Sequence, residues 1–288
     1  MDNMLQVQNL TKTFKGFKLD NISFSLEKGY IMGFIGPNGA GKSTTIKLIM
    51  NLLKKDAGDV LVFGLDHIKH EKEIKNRIGF VYDENYYYEE LTPKQMAGII
   101  APLYKNWDDN AFNSYVKRFE LPLNKKIKEL SKGMRMKFSL AIALSHNADL
   151  LIMDEPTSGL DPIIRNEFLD ILTGVCRDEE KSVFFSTHIT SDLDKVADYI
   201  TFICDGKIVF SSAKDDILES YCLVKGANGL VGEEEKKSFI GIRENRFGFE
   251  GLAKDRNRIR RMFGDNVVID RPTLEDIMLF YTRRNQNA

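Results

Sequence analysis

The 288-residue chain has no run of about 18 consecutive apolar residues, so no membrane-crossing helix is expected. Cysteine is scarce: Cys176, Cys204 and Cys222 are widely separated and odd in number, which argues against a disulfide framework or a zinc site and fits a reducing cytoplasm. An excess of either charge is missing too. Lys and Arg total 41 against 42 Asp and Glu, a formal net charge of -1, so neither nucleic acid nor an anionic bilayer is expected as a bulk electrostatic partner. Residues 1–5 lack a basic head before an apolar core, so no signal peptide is expected, and residues 285–288 carry no prenylation motif. No heptad array is present. What remains, 43% hydrophobic and 29% charged, is the composition of a soluble globular protein, with length for one large domain or one domain and a smaller appendage.

The most informative stretch is residues 30–53. An apolar run (Tyr30, Ile31, Met32, Phe34, Ile35) leads into Gly36-Pro37-Asn38-Gly39-Ala40-Gly41-Lys42-Ser43-Thr44. An amphipathic helix should follow, with Ile46, Ile49, Leu52 and Leu53 on one face. This is G-x-x-x-x-G-K-[ST] between a buried strand and a helix start, the context in which that pattern binds a nucleoside triphosphate. Glycines let the backbone turn its N–H groups toward phosphate, and the helix start adds a positive dipole end. Lys42 offers a mobile cation for the β- and γ-phosphates, and the Ser43 hydroxyl is a hard oxygen ligand for Mg2+.

Leu5 and Val7, then Ile22, Phe24 and Leu26, alternate with period two about Lys15-Gly16-Phe17, so this segment reads as strands along one edge of the nucleotide domain. Phe14 either packs in the core or presents its face to a purine ring. Asp56-Ala57-Gly58-Asp59 reads as a turn before a strand at residues 60–64, followed by a polar helix over 69–77 and a buried strand over 78–82. From 86 to 130 helical spacing dominates, with Thr92-Pro93 as a start signal, which implies an inserted helical subdomain. Tyr86, Tyr87 and Tyr88 cannot all face one core, so at least one should be exposed. They fold onto their own subdomain or form a docking surface.

Leu130-Ser131-Lys132-Gly133-Met134 opens a helix through Leu144. Leu150, Leu151, Ile152 and Met153 then form a buried strand ending in Asp154-Glu155, followed by Pro156-Thr157-Ser158-Gly159-Leu160-Asp161. A second apolar strand over residues 182–187 ends at His188, and a hairpin follows over 199–210. In these five motifs, taken in order, residues 4–214 resemble the nucleotide-binding subunit of ATP-binding cassette (ABC) transporters. The resemblance implies an α/β P-loop ATPase fold with an antiparallel β subdomain, an inserted helical subdomain near 86–130 and an ATPase domain over residues 1–212. It implies ATP and Mg2+ at Gly36 to Thr44, with Asp154 orienting the ion. Glu155 would be the general base and His188 the γ-phosphate contact. Ser131, Gly133, Ser158 and Asp161 would match the signature and D-loop, and Phe14 the adenine-stacking aromatic. Two chains would clasp two ATP molecules head to tail, since the Ser131–Gly133 site lies on a separate subdomain from Lys42.

Two departures stand out. Asp83 replaces the expected glutamine after the 78–82 strand, and is the candidate Mg2+ ligand there, with Glu84 second. The signature reads Leu-Ser-Lys-Gly-Met, where Lys132 cannot adopt a glycine-only conformation but adds a charge for phosphate. Residues 213–288 form a small α+β appendage: short strands at 222–224, 239–242 and 267–270, a basic run at 254–261 read as a solvated helix face, and a terminal helix capped by Thr273. Such tails resemble those of bacterial ABC exporters with separate membrane subunits. The expected partners are a second nucleotide-binding subunit and a membrane subunit docking near residues 83–88, which would hold the chain peripherally on the inner face of the membrane. Two alternatives are a soluble cassette ATPase on ribosomes or DNA, and a non-hydrolysing regulatory module. The former typically has two cassettes or a coiled coil, neither present here, and Glu155 argues against the latter.

Overall fold

The computed structural model describes residues 3–82, 87–178 and 180–286. The chain divides into two compact units, Met1–Ile208 and Val209–Ala288.

In the first unit, β1 (Asn3–Phe14), β2 (Phe17–Glu27) and β3 (Ile31–Ile35) precede α1 (Lys42–Ile49). Next come β4 (Ala57–Val62), β5 (Leu65–Asp66), α2 (Glu71–Arg77) and β6 (Ile78–Val81). The helices α3 (Pro93–Ile100), α4 (Asp109–Arg118) and α5 (Lys132–Leu144) intervene before β7 (Leu150–Asp154). The unit then runs through α6 (Pro162–Val175), β8 (Ser182–Thr187), α7 (Thr190–Val196), β9 (Tyr199–Cys204) and into β10 (Lys207–Ala213), within which the division falls. One sheet, in the order β2-β1-β4-β5, is antiparallel. The other has the order β10-β9-β3-β8-β7-β6, and its β9-β3-β8-β7-β6 portion is parallel. Every residue of β3, β7 and β8 is buried, as expected of parallel strands covered on both faces. Between the sheets, Phe24, Phe34 and Phe184 pack ring to ring at centroid separations of 5.4 to 5.6 Å, in one core cluster with Ile46, Leu48 and Ile49 of α1.

Local signals explain the helix starts. Thr92 caps α3 in a capping box with Gln95, and Asp108 caps α4 through the N–H groups of Asn110 and Ala111. Two expectations need correction. The helix after the glycine loop stops at Ile49, because Asn51 turns left-handed (φ 53°) and the Leu52 N–H folds back to the Lys47 carbonyl at 2.8 Å. Leu52 is therefore 58% exposed rather than on a buried helix face. Of the expected turn at 56–59, residues 57–59 are already part of β4, where Gly58 lies so close to β1 that an added Cβ would sit 2.3 Å from the Asn9 carbonyl oxygen.

The second unit holds α8 (Lys214–Ser220), β11 (Cys222–Gly226), α9 (Glu233–Lys236), β12 (Phe239–Asn245), β13 (Gly248–Ala253), α10 (Arg256–Phe263), β14 (Val267–Asp270) and α11 (Leu274–Gln286). Its antiparallel sheet has the order β12-β13-β11-β14. β13 pairs with both β11 and β12, yet the sequence hides it because Gly248 and Gly251 interrupt the alternation of apolar residues. Its Gly251 is required by packing, since a Cβ there would lie 2.6 Å from the Phe239 ring. The basic run lies on α10 from Arg256 onward, with Lys254 ahead of the Asp255 cap; the helix's arginines are exposed while Ile259 and Phe263 face the core. Thr273 and Asp276 form the cap of α11, each side chain accepting the other's backbone N–H.

Candidate functional site

Register brings the chemistry together. Ile35 at the tip of β3 pairs with Thr187 of β8, and Asp154 at the tip of β7 pairs with Ser186, so the glycine loop, Asp154-Glu155 and His188 leave neighbouring carboxyl ends of one sheet. The loop needs its glycines for two reasons. A Cβ on Gly36 would sit 2.3 Å from the Ile203 carbonyl oxygen, and Gly41, which precedes α1, has φ 112°. Within the loop the Ala40 N–H donates to the Pro37 carbonyl at 3.2 Å, and Thr45 closes the first helical turn by donating its N–H and hydroxyl to the Gly41 carbonyl.

Lys42 is almost wholly buried, and its ammonium donates to the Gly36 carbonyl at 2.7 Å and the Pro37 carbonyl at 3.3 Å. It also faces Glu155 Oε1 at 3.1 Å, while Glu155 Oε2 lies 2.7 Å from His188 Nδ1 and accepts the His188 backbone N–H at 3.3 Å. One carboxylate thus bridges the lysine and the histidine. Its backbone is left-handed (φ 48°) and is pinned by Ser186, whose carbonyl and hydroxyl oxygens both accept the Glu155 N–H, at 3.1 and 2.9 Å. The same Ser186 hydroxyl donates to Asp154 Oδ1 at 2.5 Å. Ser186 was not singled out from the sequence. Its signal was a polar residue near the end of an otherwise apolar strand.

Asp154 is buried, and burial pushes its carboxyl above the usual carboxylate range, against hydrogen bonds from Ser186 and Ser43 that favour the ionised form. A buried carboxylate in contact with a hydroxyl is a hard-oxygen pair suited to Mg2+, which completes its shell with phosphate and water oxygens. No group of three or more His, Cys, Asp or Glu side chains suited to a metal occurs among the described residues, so an all-protein cage is not on offer there. A cleft of about 390 Å3 opens over the glycine loop, lined by Phe17, Asn38, Lys42, Ser43, Glu155 and His188 among others. Oriented N–H donors, an ammonium, a carboxylate and an imidazole around one cleft are the equipment for binding and cleaving a polyphosphate.

Other candidates sit elsewhere. Phe14 is 40% exposed and does not line the cleft, whereas Phe17, 6.3 Å away across the hairpin, does. Phe17 was missed because only the hairpin register, Phe14 opposite Phe17, brings it to the loop. Ser131 caps α5 by accepting the Met134 N–H at 3.2 Å, and Gly133 packs so tightly that a Cβ would meet Ile164 at 2.7 Å. Asp161 caps α6, accepting from Ile163 and Ile164 at 3.0 Å each. None of these three lines the cleft over Lys42. Asp83, Glu84 and Tyr86 lie outside the described residues. Tyr87 packs edge-on against Phe138 at 5.0 Å, with burial pushing its hydroxyl up to about 12, while Tyr88 is 68% exposed. Tyr87 also lines a second, largely apolar cleft of about 580 Å3, with Glu71, Lys75, Tyr82, Leu103 and Tyr104.

Comparison with known proteins agrees with this geometry. The family described as "ABC transporter" matches residues 19–158. The ABC transporter ATP-binding protein YtrB of Bacillus subtilis (strain 168) is 30% identical over 225 residues, 78% of this chain and 77% of the relative. The bacitracin transport ATP-binding protein BcrA of Bacillus licheniformis is 32% identical over 212 residues, 73% and 69% of the two chains. A solved structure described as the ATP binding subunit of an ABC transporter superposes with a TM-score of 0.68 at 25% identity, covering 74% of this chain and 91% of the other. With the phosphate loop, the Asp-Glu strand tip and the histidine assembled at one sheet edge, the chain belongs to the family of ATP-binding subunits of ABC transporters, which are Mg2+-dependent ATPases.

Proposed function

We propose that this chain is the ATP-hydrolysing subunit of an exporter whose membrane subunit is a separate polypeptide. The observation that carries the reading is Glu155 held between Lys42 and His188 at the mouth of the glycine loop. In this reading, Gly36, Pro37, Asn38, Gly39, Ala40, Gly41 and Thr44 wrap the phosphates with backbone N–H groups, and Lys42 neutralises the β- and γ-oxygens. Ser43 and Asp154 hold Mg2+, with Asp83 as the further oxygen ligand. The ion supplies charge neutralisation at the phosphates. Glu155 takes the proton of the attacking water, and His188 steadies the γ-phosphate and the carboxylate together. An aromatic of the 14–17 hairpin, Phe14 or Phe17, stacks on the adenine.

Ser131, Gly133 and Asp161 serve the nucleotide of a second subunit, which is why they lie away from this chain's own cleft. Two subunits then close head to tail on two ATP molecules. The apolar cleft lined by Tyr82, Tyr87, Tyr104 and the exposed Leu103 takes a segment of the membrane subunit and keeps the chain peripheral on the inner membrane face. Among the described residues no helix is long and apolar enough to cross a membrane. The bacitracin-transport relative supports a peptide or similar amphipathic cargo. The test is Glu155→Gln: steady-state hydrolysis should fall on the order of a thousandfold while ATP binding persists. Turnover equal to wild type would overturn the reading.

A further inference from the structure

We infer that Asp192 is a positioning residue for hydrolysis, acting through the Thr157 hydroxyl to hold the Glu155 turn in register with the His188 turn. The inference rests on the roles proposed above for Glu155 and His188.

Thr157 follows Glu155 by two residues and Asp192 follows His188 by four, so each sits one step behind a group at the cleft. Asp192 is wholly buried, and its Oδ2 accepts the Thr157 hydroxyl at 2.6 Å, while its Oδ1 pairs with Arg165 Nε. Arg165 also donates through Nη2 to Ser191 Oγ at 2.7 Å, so α6, α7 and the Pro156-Thr157-Ser158 turn meet at one carboxylate. A buried carboxylate is tolerated only with such partners, and their removal leaves an unpaired charge in a dry site. The adjacent Leu193 seats α7 directly on β3: a Cβ on Gly33 would fall 2.2 Å from Leu193 Cδ2. α7 is thereby fixed against the strand that feeds the glycine loop, and Asp192 extends that fixed point to the turn carrying Glu155.

Besides the Glu155 N–H bonds to Ser186, two side-chain links join these turns among the described residues. The first is the Glu155–His188 contact at the mouth of the cleft, whose members must also face an incoming γ-phosphate and water, so a second fixed link helps to hold their spacing. The second, Thr157–Asp192, is buried and has no partner in the cleft, so it survives nucleotide binding. Small misplacements of reacting groups are costly, and this link limits them.

The experiment compares full-length wild type, Thr157→Val, Thr157→Ser and Glu155→Gln in steady-state ATP hydrolysis, with turnover expressed per ATP-binding site measured by equilibrium titration. Valine keeps the β-branched shape and replaces the one hydroxyl with a methyl. kcat should fall about tenfold with KM within about twofold, and serine should restore kcat to within about twofold of wild type. Expressing turnover per binding site removes any loss of folded protein, which a purely stabilising role would produce. Wild-type kcat in Thr157→Val, or a serine variant as slow as the valine one, would overturn the inference. If Glu155→Gln is inactive while Thr157→Val is not, the positioning role alone fails. If Glu155→Gln is fully active, the reading of the site fails first.

Discussion

His146 offers a sharp quantitative test of the fold. It lies fully buried after α5, stacked on Tyr104 with centroids 3.9 Å apart and planes 7° from parallel. Among the described residues neither ring nitrogen has a well-aligned hydrogen-bond partner, although backbone groups of Asn76 and His146 itself lie close enough to oppose part of the effect of burial. Burial holds its pKa down at about 4, against an ordinary value of 6.5. The unfolded chain therefore takes up a proton near pH 6.5 while the native state refuses it until about pH 4, and stability drains away as pH falls through that window. The loss is nil above pH 7, about 2 kcal/mol at pH 5, and about 3 kcal/mol below pH 4. Phenylalanine at 146 keeps the stack, removes the titration, and spares two poorly partnered nitrogens worth about 1 to 2 kcal/mol even at neutral pH, less whatever its larger ring costs in packing. Trp107, the only tryptophan, is the reporter, because the N–H of the next residue, Asp108, donates to the Ser145 carbonyl beside the imidazole at 2.8 Å. Urea unfolding followed by its fluorescence at pH 7.5 and pH 5.0 should show His146→Phe gaining about 2 kcal/mol more over wild type at the lower pH. Acid effects of carboxylates are common to both proteins and cancel in that difference. An advantage that is the same at both pH values would refute the buried, neutral imidazole.

Two further outcomes separate candidate ligand contacts. Phe17→Ala should weaken ATP binding several-fold, about 1 kcal/mol for a lost stacking face, and more than Phe14→Ala does, as read by fluorescent-nucleotide titration. The opposite order would return the stacking role to Phe14. Asp83→Ala should lower hydrolysis and raise the Mg2+ concentration needed for half-maximal activity by on the order of tenfold, and an unchanged Mg2+ titration would remove Asp83 from the metal's shell.

Much of the site was legible because its parts are local. The strand, glycine loop and helix start are contiguous, and Asp154-Glu155 and His188 announce themselves as polar residues ending apolar runs. A buried strand must end somewhere, and its first polar residues mark the sheet edge where ligands bind. What stayed hidden depends on contacts between distant residues. The Thr157–Asp192 bond joins residues 35 apart, neither of which is unusual alone, and the Tyr104–His146 stack joins two aromatics on separate elements. Phe17 is placed by hairpin register rather than by any motif. β13 escaped because period-two alternation is the only local mark of a strand, and two glycines erase it. Leu52 misled for the opposite reason: apolar spacing ran on past the helix end, and the left-handed Asn51 that stops it looks ordinary in sequence.

The left-handed backbone at Glu155 has a thermodynamic corollary. A residue with a Cβ gives up on the order of 1 kcal/mol in that conformation, which a glycine would recover. Glycine at 155 should then leave the turn itself less strained while emptying it of its acid group, so the native sequence forgoes some stability to keep one carboxylate where it stands. Selection for thermal hardiness alone would drift toward an inert protein at this position.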